Sequence, residues 1–243
     1  MKIIKINAIG STNDFLKDLA KQTFVADGTV VRTEDQTQGR GQMGASWHFE
    51  PGKSLAFSVF KRFPKMPLKQ AYAVNFAVSL GVKKALEELG MTSVTIKWPN
   101  DILAEGGKIC GILIENQFRE PESFTSIIGI GINVNNSNFH ELPKATSLFM
   151  QRGMPFSLDE VFETVVNFVL KELNAASQDN FEKLKNEYET YLFRKGKVST
   201  FEGNDGAVFS GIIKGVSSEG LLQVLLENNL LREFQLKELK LMY

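Results

Sequence analysis

Three glycines at positions 39, 41 and 44 belong to the first segment whose residue types could carry out chemistry. The stretch from Gly39 to Gly44 has the pattern G-x-G-x-x-G and contains Arg40. Glycine lets a backbone approach a ligand closely, and arginine supplies a charged planar set of donors that suits a phosphate. The pattern predicts a phosphate-handling loop, although glycine spacing alone leaves a flexible surface loop as the alternative.

The same pattern is typical of dinucleotide-binding folds, but its context argues against that function. A dinucleotide site needs a helix at the third glycine and an acidic residue about 20 positions further on. Here Trp47, Pro51 and Gly52 follow and lead into a strand pattern, with no acidic residue at that distance. A protein kinase is excluded because no H-R-D or D-F-G triplet follows. Trp47 is either a core residue or a ring on which a base stacks.

A second segment from Lys97 to Asp101 has the sequence K-W-P-N-D, and Lys108 follows at the start of an apolar stretch. Asparagine and aspartate favour turns by themselves, and a lysine entering a buried strand can extend to solvent. At roughly 4 Å from a phosphate, with an effective dielectric of about 20, a lysine gains on the order of 4 kcal/mol. Lys108 is therefore a candidate for charge neutralisation at a cleft.

The third segment, from Gly129 to Asn133, has the sequence G-I-G-I-N at the end of an apolar stretch. Glycines inside a strand weaken it and mark the close approach of a ligand or of another chain segment. A β-bulge is the alternative. Asn133 is placed either to cap a turn or to hold a polar group of a ligand.

The elements that position these segments follow from hydrophobic period and turn chemistry. Strands are expected at 3–9, 28–33, 55–60, 93–97, 108–118 and 123–134. Helices are expected after an N-cap at Ser11-Thr12-Asn13, from Pro67 to a stop at Gly90, and at 158–173 and 181–192. The strands at 108–118 and 123–134 are nearly continuous apolar runs, which predicts that they are buried on both faces.

The pattern changes after Lys195 to short strands punctuated by glycine and asparagine, at 198–201, 207–215, 221–226 and 230–236. We expect a larger domain at 1–193 and a small SH3-like β-barrel of five strands at 194–243. The fold class is α/β (α+β), with a mixed sheet backed by helices in the larger domain.

The balanced charge and the single cysteine limit the class of protein. Lysine plus arginine and aspartate plus glutamate number 28 each, whereas nucleic-acid binding usually leaves a basic excess. No apolar run is long enough to cross a bilayer, and the first residues open no signal peptide. Cys110 has no partner for an intrachain disulfide and fits a reducing compartment. We therefore expect a cytoplasmic protein that binds neither nucleic acid nor membrane.

Taken together, these segments resemble the biotin–protein ligases. The matching stretches are Gly10–Asn13, Gln36–Trp47, Lys97–Asp101 with Lys108, Gly111–Glu115 and Gly129–Asn133. They occur in the family's order and at its spacings, and the small C-terminal barrel fits the family as well, so the resemblance covers nearly the whole chain.

The resemblance implies an enzyme with two steps. With ATP and Mg²⁺, the biotin carboxylate attacks the α-phosphate to give biotinyl-5′-AMP, and a lysine of a biotin carboxyl carrier protein or domain then takes the biotin. Such chemistry depends on positioning and charge neutralisation and requires no nucleophilic side chain. Cys110 is accordingly interpreted as a small core residue.

The resemblance also assigns roles to residues at the matching positions. Biotin contacts are expected from Ser11, Thr12, Asn13, Gln36, Gly39, Arg40, Gly41, Lys108, Gly111, Gly129 and Gly131. Nucleotide contacts are expected from Gln42, Trp47, Asn100 and Asn133. Lys108, Arg40 and Asp101 are the catalytic candidates, with Lys108 bridging the biotin carboxylate and the α-phosphate. Asp101 either binds the metal or orients the incoming amine.

Two features depart from the family pattern. The family loop often carries several arginines, whereas this loop keeps only Arg40 and has Gln42, Met43 and Ala45, so Arg40 acts alone unless Lys53 moves in. Larger members begin with a helix-turn-helix repressor domain, and we expect a short form without it. We expect the loop to be mobile until a ligand orders it.

Two competing functions remain. A lipoate– or octanoate–protein ligase of the same fold would show a run of glycines before a histidine, which is absent. A non-catalytic sensor of biotin would not need the charges of Lys108 and Arg40. The sequence leaves open the identity of the carboxylase and whether the protein is a monomer or a homodimer.

Overall fold

Two β-sheets form the frame of the protein in the computed structural model, which describes residues 1–120, 123–139, 142–176 and 180–243. The larger sheet contains β1 (Ile3–Ile9), β2 (Thr29–Gln36), β3 (Ser54–Phe63), β4 (Thr95–Lys97), β5 (Asp101–Ala104), β6 (Gly107–Glu120) and β7 (Ser123–Asn133). Its strand order is β1-β2-β3-β7-β6-β5-β4, with β1 and β2 parallel and the other pairs antiparallel. The expected mixed sheet is confirmed.

The parallel pair β1–β2 requires a crossover, which α1 (Thr12–Gln22) supplies. The hydroxyl of Ser11 accepts a hydrogen bond from the backbone N–H of Asp14, so the predicted N-cap is confirmed. One face of α1 packs Leu16 against Val31, Phe60 and Ile127 of the sheet. The start of α1 is thereby fixed above the central strands.

The opposite face of the sheet is covered by α2 (Ala73–Glu88), α4 (Leu158–Ala175) and α5 (Phe181–Thr190), and the short α3 (Leu148–Arg152) precedes α4. Phe57 of β3 meets Phe162 of α4 edge to face, with ring centroids 5.2 Å apart. Helices α2 and α4 cross closely at Gly81, where a Cβ would come within 2.8 Å of the Cα of Val169. This layer forms the main core.

Some predicted boundaries were wrong for identifiable reasons. The helix expected at Pro67 begins at Ala73, because Leu68–Gln70 forms a 3₁₀ turn with shorter-range hydrogen bonds. Its end is confirmed at Gly90, which has a left-handed φ of 82°. Residues 97–101 were expected to end a strand in a turn. The turn covers only residues 98–100, and Asp101 begins β5, where it pairs with Lys97.

The smaller sheet contains β8 (Val198–Gly203), β9 (Val208–Val216), β10 (Leu222–Leu226), β11 (Leu231–Phe234) and β12 (Leu239–Met242). All pairs are antiparallel in the order β11-β10-β9-β8-β12. Phe209 of β9 stacks on Phe234 of β11, two strands away, so the sheet curls as a small barrel requires. The strand expected at 230–236 stops at Phe234, because residues 235–238 form a turn before β12, the fifth strand, for which the sequence analysis assigned no residues.

The small sheet docks on the larger unit through polar contacts to its backbone. The Glu189 carboxylate accepts a hydrogen bond from the N–H of Val216 at 3.0 Å, and the indole N–H of Trp98 donates to the carbonyl of Gly220 at 2.9 Å. A Cβ on Gly220 would come within 2.2 Å of the Tyr72 ring, so only glycine fits this contact. Within the described residues, no helix is long and apolar enough to span a membrane.

Candidate active site

The floor of the candidate site is a row of small residues set by strand register. Ala56 of β3 pairs with Gly131 of β7, Gly131 pairs with Gly111 of β6, and Gly111 pairs with Asp101 of β5. Directly opposed residues of antiparallel strands present their side chains on the same face. The row therefore leaves a shallow space on the α1 side of the sheet, with the Asp101 carboxylate at one end.

A cavity of about 220 Å³ lies over this floor. It is lined by fourteen of the sixteen site residues expected from the sequence: Ser11, Thr12, Asn13, Gln36, Arg40, Gly41, Gln42, Trp47, Asn100, Asp101, Lys108, Gly111, Gly129 and Gly131. Gly39 and Asn133 are not in the lining. Segments separated by up to 120 positions thus meet at one place.

One end of the cavity is a network of uncharged polar groups. The side-chain oxygen of Gln36 accepts from the backbone N–H of Thr12 at 3.0 Å and from its hydroxyl at 3.2 Å. Because that oxygen is occupied, the amide N–H₂ of Gln36 is the part of the side chain left to donate to a ligand. Gly39 leaves room for this amide, since a Cβ there would come within 3.0 Å of its nitrogen.

Ser58 of β3 belongs to this network, although it is not among the site residues predicted from the sequence. Its hydroxyl is fully buried, 2.6 Å from the side-chain oxygen of Asn13 and 2.8 Å from the hydroxyl of Thr12. The amide oxygen of Asn13 can only accept, so Ser58 donates to it. The only signal in the sequence was one small polar residue inside an apolar strand.

Asn13 connects this network to a charged cluster around Glu115. Its amide nitrogen donates to the Glu115 carboxylate at 2.9 Å, and Lys17 donates to the same group at 3.1 Å. Burial would raise the pKa of Glu115, but these bonds and the charges of Lys17 and Arg40 outweigh it and lower that pKa overall. Glu115 is therefore held ionised beside the cavity.

Arg40 lies at this same side of the cavity. Its guanidinium forms an ion pair with Asp14 at the first turn of α1 and lies 3.8 Å from the Glu115 carboxylate. About half of the side chain is exposed, so this pair contributes little stability of its own. Arg40 can leave Asp14 for a phosphate at small cost.

The charged end of the cavity is formed by Lys108 and Asp101. The ammonium of Lys108 lies 2.6 Å from one Asp101 oxygen, and that of Lys97 lies 3.4 Å from the other. The ammonium of Lys108 is also 5.6 Å from the centroid of the Trp47 ring. Backbone bonds from Lys108 to Lys144 and Thr146 fix the strand at this point. A cation is thus held opposite the neutral polar end.

Side chains from other parts of the protein lie directly against the floor glycines. A Cβ on Gly131 would come within 2.4 Å of the Trp47 ring, and one on Gly111 within 2.9 Å of it. A Cβ on Gly129 would lie 2.5 Å from the side-chain oxygen of Asn13. The expected close approach at these three glycines is thus made here by Trp47 and Asn13.

Asn100 and Asn133 use their amides on backbone groups. Asn100 donates to the carbonyl of Ile112 at 2.6 Å, which ties the start of β5 to β6. Asn133 is buried and donates to the carbonyl of Thr146 at 3.0 Å. The expected nucleotide contact of Asn133 is not supported by this geometry, because its side chain stabilises the segment behind Lys108.

The glycine-rich loop forms a narrow hairpin over the cavity. The N–H of Gly41 donates to the carbonyl of Ala45 at 2.6 Å, and that of Trp47 donates to the carbonyl of Gly39 at 2.9 Å. Lys53, the other cation considered for this loop, pairs with Glu50 at 2.5 Å. Arg40 is therefore the only cation that the loop itself brings to the cavity lining.

The residues present do not fit a resident magnesium ion. Within the described ranges, no group of three or more histidine, cysteine, aspartate or glutamate residues is placed to hold a metal. Each oxygen of Asp101, the single carboxylate in the cavity lining, is paired with a lysine. This pairing argues against Asp101 as the ligand of a resident metal ion, the first of the two roles expected for it.

Cys110 is fully buried beneath the floor. Burial raises the pKa of its thiol, which keeps it protonated at neutral pH. It has the environment of a core residue, as expected, and not that of a nucleophile.

Comparison with known proteins gives a consistent result. A model of the Biotin/lipoate A/B protein ligase family matches residues 6–133. The chain is similar to the bifunctional ligase/repressor BirA of Bacillus subtilis, with 32% identity over 234 residues, which covers 93% of this chain and 70% of that protein. It is also similar to the biotin–[acetyl-CoA-carboxylase] ligase of Mycobacterium tuberculosis, with 34% identity over 142 residues, 57% of this chain and 52% of that one.

The fold has a matching solved structure as well. The biotin protein ligase from Aquifex aeolicus, solved in complex with biotin and ATP, superposes with a TM-score of 0.79 at 26% identity. The superposition covers 99% of this chain and 98% of that one. It includes the small C-terminal sheet as well as the larger unit.

Proposed function

The chain belongs to the Biotin/lipoate A/B protein ligase family, and from this premise we propose that it is a biotin–protein ligase. It activates biotin with ATP and transfers it to a lysine of a biotin carboxyl carrier protein or domain. The acceptor belongs to a biotin-dependent carboxylase, in agreement with the name of the Mycobacterium tuberculosis relative.

The observation that carries this proposal is the polarity of the cavity. Thr12 and Gln36 form an uncharged hydrogen-bonding end, and the ammonium of Lys108 lies at the other end. Biotin has the same arrangement, with a neutral ureido head that donates and accepts hydrogen bonds and an anionic carboxylate at the end of its chain. The floor of Ala56, Gly111 and Gly131 lies between the two ends, and the ring of Trp47 covers its two glycines.

In the first step, a carboxylate oxygen of biotin attacks the α-phosphorus of MgATP, and the bond to pyrophosphate breaks. Two anions must approach each other, so the main barrier is electrostatic. Lys108 neutralises both groups at the point of attack, and Arg40 provides a second charge by leaving Asp14. The products are biotinyl-5′-AMP and pyrophosphate.

In the second step, the amine of the carrier lysine attacks the carbonyl carbon of the mixed anhydride, and AMP leaves with the bonding electrons. The amine must be neutral to attack, and the proton that it loses as the amide forms passes to water. We assign Asp101 to orient this amine, because it is the single carboxylate in the cavity lining and its longer ion pair, the one with Lys97 at 3.4 Å, can open to accept a hydrogen bond from the amine. We also propose that the chain divides into two domains, 1–193 and 194–243. We propose no role in nucleic-acid binding.

Biotin-dependent exchange of labelled pyrophosphate into ATP tests the first step. Transfer of labelled biotin to a purified carrier domain tests the second. We expect both activities with biotin, ATP and Mg²⁺. Absence of exchange and of transfer would refute the proposal, and faster turnover of lipoate than of biotin would reassign the enzyme to lipoate ligation.

A further inference from the structure

A turn of the C-terminal domain contacts the glycine-rich loop above the cavity. The ammonium of Lys237 donates a hydrogen bond to the backbone carbonyl of Met43 at 2.8 Å. The two residues are 194 positions apart in the sequence. The contact therefore joins the small sheet directly to the loop that closes over the site.

The turn that carries Lys237 is itself well fixed. The backbone N–H of Gln235 donates to the Glu238 carboxylate at 2.7 Å, and the N–H of Glu238 donates to the carbonyl of Gln235 at 3.1 Å. These reciprocal bonds close residues 235–238 into one turn. Leu236, in the same turn, lines the cavity. The turn thus presents one side chain to the cavity and the next one to the loop.

Both partners of this bond have unusual backbone conformations. Met43 has φ 52° and Lys237 has φ 68°, a left-handed region that costs energy for residues other than glycine. They are two of the six non-glycine residues with positive φ in the described part of the chain. A conformation of this kind persists only where surrounding contacts favour it, which points to a role for the contact.

The composition of the loop explains what the contact provides. Gln42 and Met43 bring no charge, Arg40 is its single cation at the cavity, and Lys53 pairs with Glu50. Phosphate charge can therefore hold the loop closed only through Arg40. Lys237 is a cation of the C-terminal domain that binds the loop backbone. It can therefore help to hold the loop closed where the loop itself has few charges.

We propose that Lys237 is a positioning residue that holds the loop 36–47 closed over the adenylate, so that the C-terminal domain sets how long biotinyl-5′-AMP is retained. This inference rests on the proposed function. Lys237 acts through the carbonyl of Met43 and takes no part in the chemistry. Because Lys237 and Met43 are both exposed, the hydrogen bond contributes modestly to loop closure.

The experiment compares Lys237→Met, which removes the donor, with Lys237→Arg, which keeps a donor and the charge. Lys240→Met is the matched control, since Lys240 is an exposed lysine of the same domain that pairs with Glu202. Labelled biotinyl-5′-AMP is formed on each protein and chased with unlabelled biotin and ATP. We expect release from Lys237→Met to be about two- to fivefold faster than from the parent, with Lys237→Arg near the parent rate.

The kcat for pyrophosphate exchange should stay within about twofold of the parent in Lys237→Met, because the reacting groups are untouched. A melting temperature equal to that of the parent would exclude general unfolding as the cause. The inference would be overturned if Lys237→Met and Lys240→Met released biotinyl-5′-AMP at the same rate. It would also be overturned if Lys237→Met lost kcat and retention of the adenylate to the same extent.

A second measurement does not depend on ligase activity. Trypsin cleaves after Arg40, which lies inside the loop. Cleavage at this bond should be about two- to fivefold faster in Lys237→Met than in the parent and in Lys240→Met, by the same opening of the loop. Faster cleavage without adenylate formation in the parent would support the contact and refute the proposed function. Unchanged cleavage would overturn the role of Lys237 even in an active ligase.

Discussion

The carboxylate of Asp101 lies 2.6 Å from the ammonium of Lys108 and 3.4 Å from that of Lys97. Asp101 is largely buried, whereas Lys108 is about one-third exposed and faces the cavity. The aspartate therefore fixes the position of a cation that still reaches a ligand. Lys108 has the placement of a group that neutralises charge and not that of a side chain simply extending into solvent.

The first prediction concerns this cation. Lys108→Ala should lower the rate of biotin-dependent pyrophosphate exchange by at least about a hundredfold, the scale expected when one preorganised charge-stabilising group is lost. Folding should survive, because the side chain is not part of the core. Lys97→Ala removes the other partner of Asp101 and should have a smaller effect. Normal exchange in Lys108→Ala would contradict the assigned role.

The second prediction concerns Ser58. Ser58→Ala removes the donor to Asn13 and a partner of Thr12, so the polar end should lose its fixed arrangement. We expect KM for biotin to rise about five- to tenfold with a smaller change in kcat, the scale of about one hydrogen bond. Ser79→Ala is the matched control, because Ser79 is equally buried and its hydroxyl has no partner in the described residues. Equal KM values in both variants would show that the network does not bind biotin.

Much of this fold can be predicted from the sequence, because hydrophobic period and cap residues are local signals. The N-cap at Ser11 and the stop at Gly90 follow from the properties of one or two residues. Strand register is not local. The alignment of Gly131 with Gly111, and of Gly111 with Asp101, depends on which strands pair and where.

The same limit explains what the sequence missed in the site. Glycine spacing indicates that something approaches the backbone closely, but not which atoms do so, and here the ring of Trp47 lies against Gly111 and Gly131. Ser58 became a site residue only because β3 places it under Asn13. The contact of Lys237 with Met43 joins the small sheet to the glycine-rich loop, and no short-range pattern encodes it.

The third prediction uses the ionisation of Glu115. Hydrogen bonds and nearby cations lower the pKa of Glu115 in the folded protein below its ordinary value of 4.5, despite burial. A lowered pKa contributes stability above the pKa of the unfolded state, and this is lost as the pH falls through the folded value. The free energy of unfolding lost in Glu115→Gln should thus be largest above the ordinary value of 4.5 and shrink below it.

Urea denaturation at several pH values measures this difference. Glu202→Gln serves as the control, since Glu202 belongs to an exposed pair with Lys240. Its effect should be small at every pH, because exposed pairs contribute little. If the free energy of unfolding lost in Glu115→Gln grew as the pH fell, the pH dependence would have the opposite sign and would contradict the ionised state of Glu115.

The last prediction concerns position 42 of the loop. Gln42 lines the cavity, and its side-chain oxygen is buried without a hydrogen-bond partner in the described residues. An arginine there would add a second loop cation beside Arg40. Gln42→Arg should slow the release of pre-formed biotinyl-5′-AMP about two- to fivefold in a chase with unlabelled biotin and ATP, the scale of a partly exposed ion pair.

Salt separates this charge effect from a change in packing at position 42. Raised salt screens exposed charges, so it should speed release more in Gln42→Arg than in the parent.

Gln38→Arg is the matched control, because Gln38 lies in the same loop but is exposed and outside the cavity lining. It adds the same charge and should leave release unchanged. Slower release in both variants would indicate a general attraction of the loop for anions. Unchanged release in Gln42→Arg would mean that position 42 does not face the phosphate, and the placement of the loop over the adenylate would be wrong at that residue.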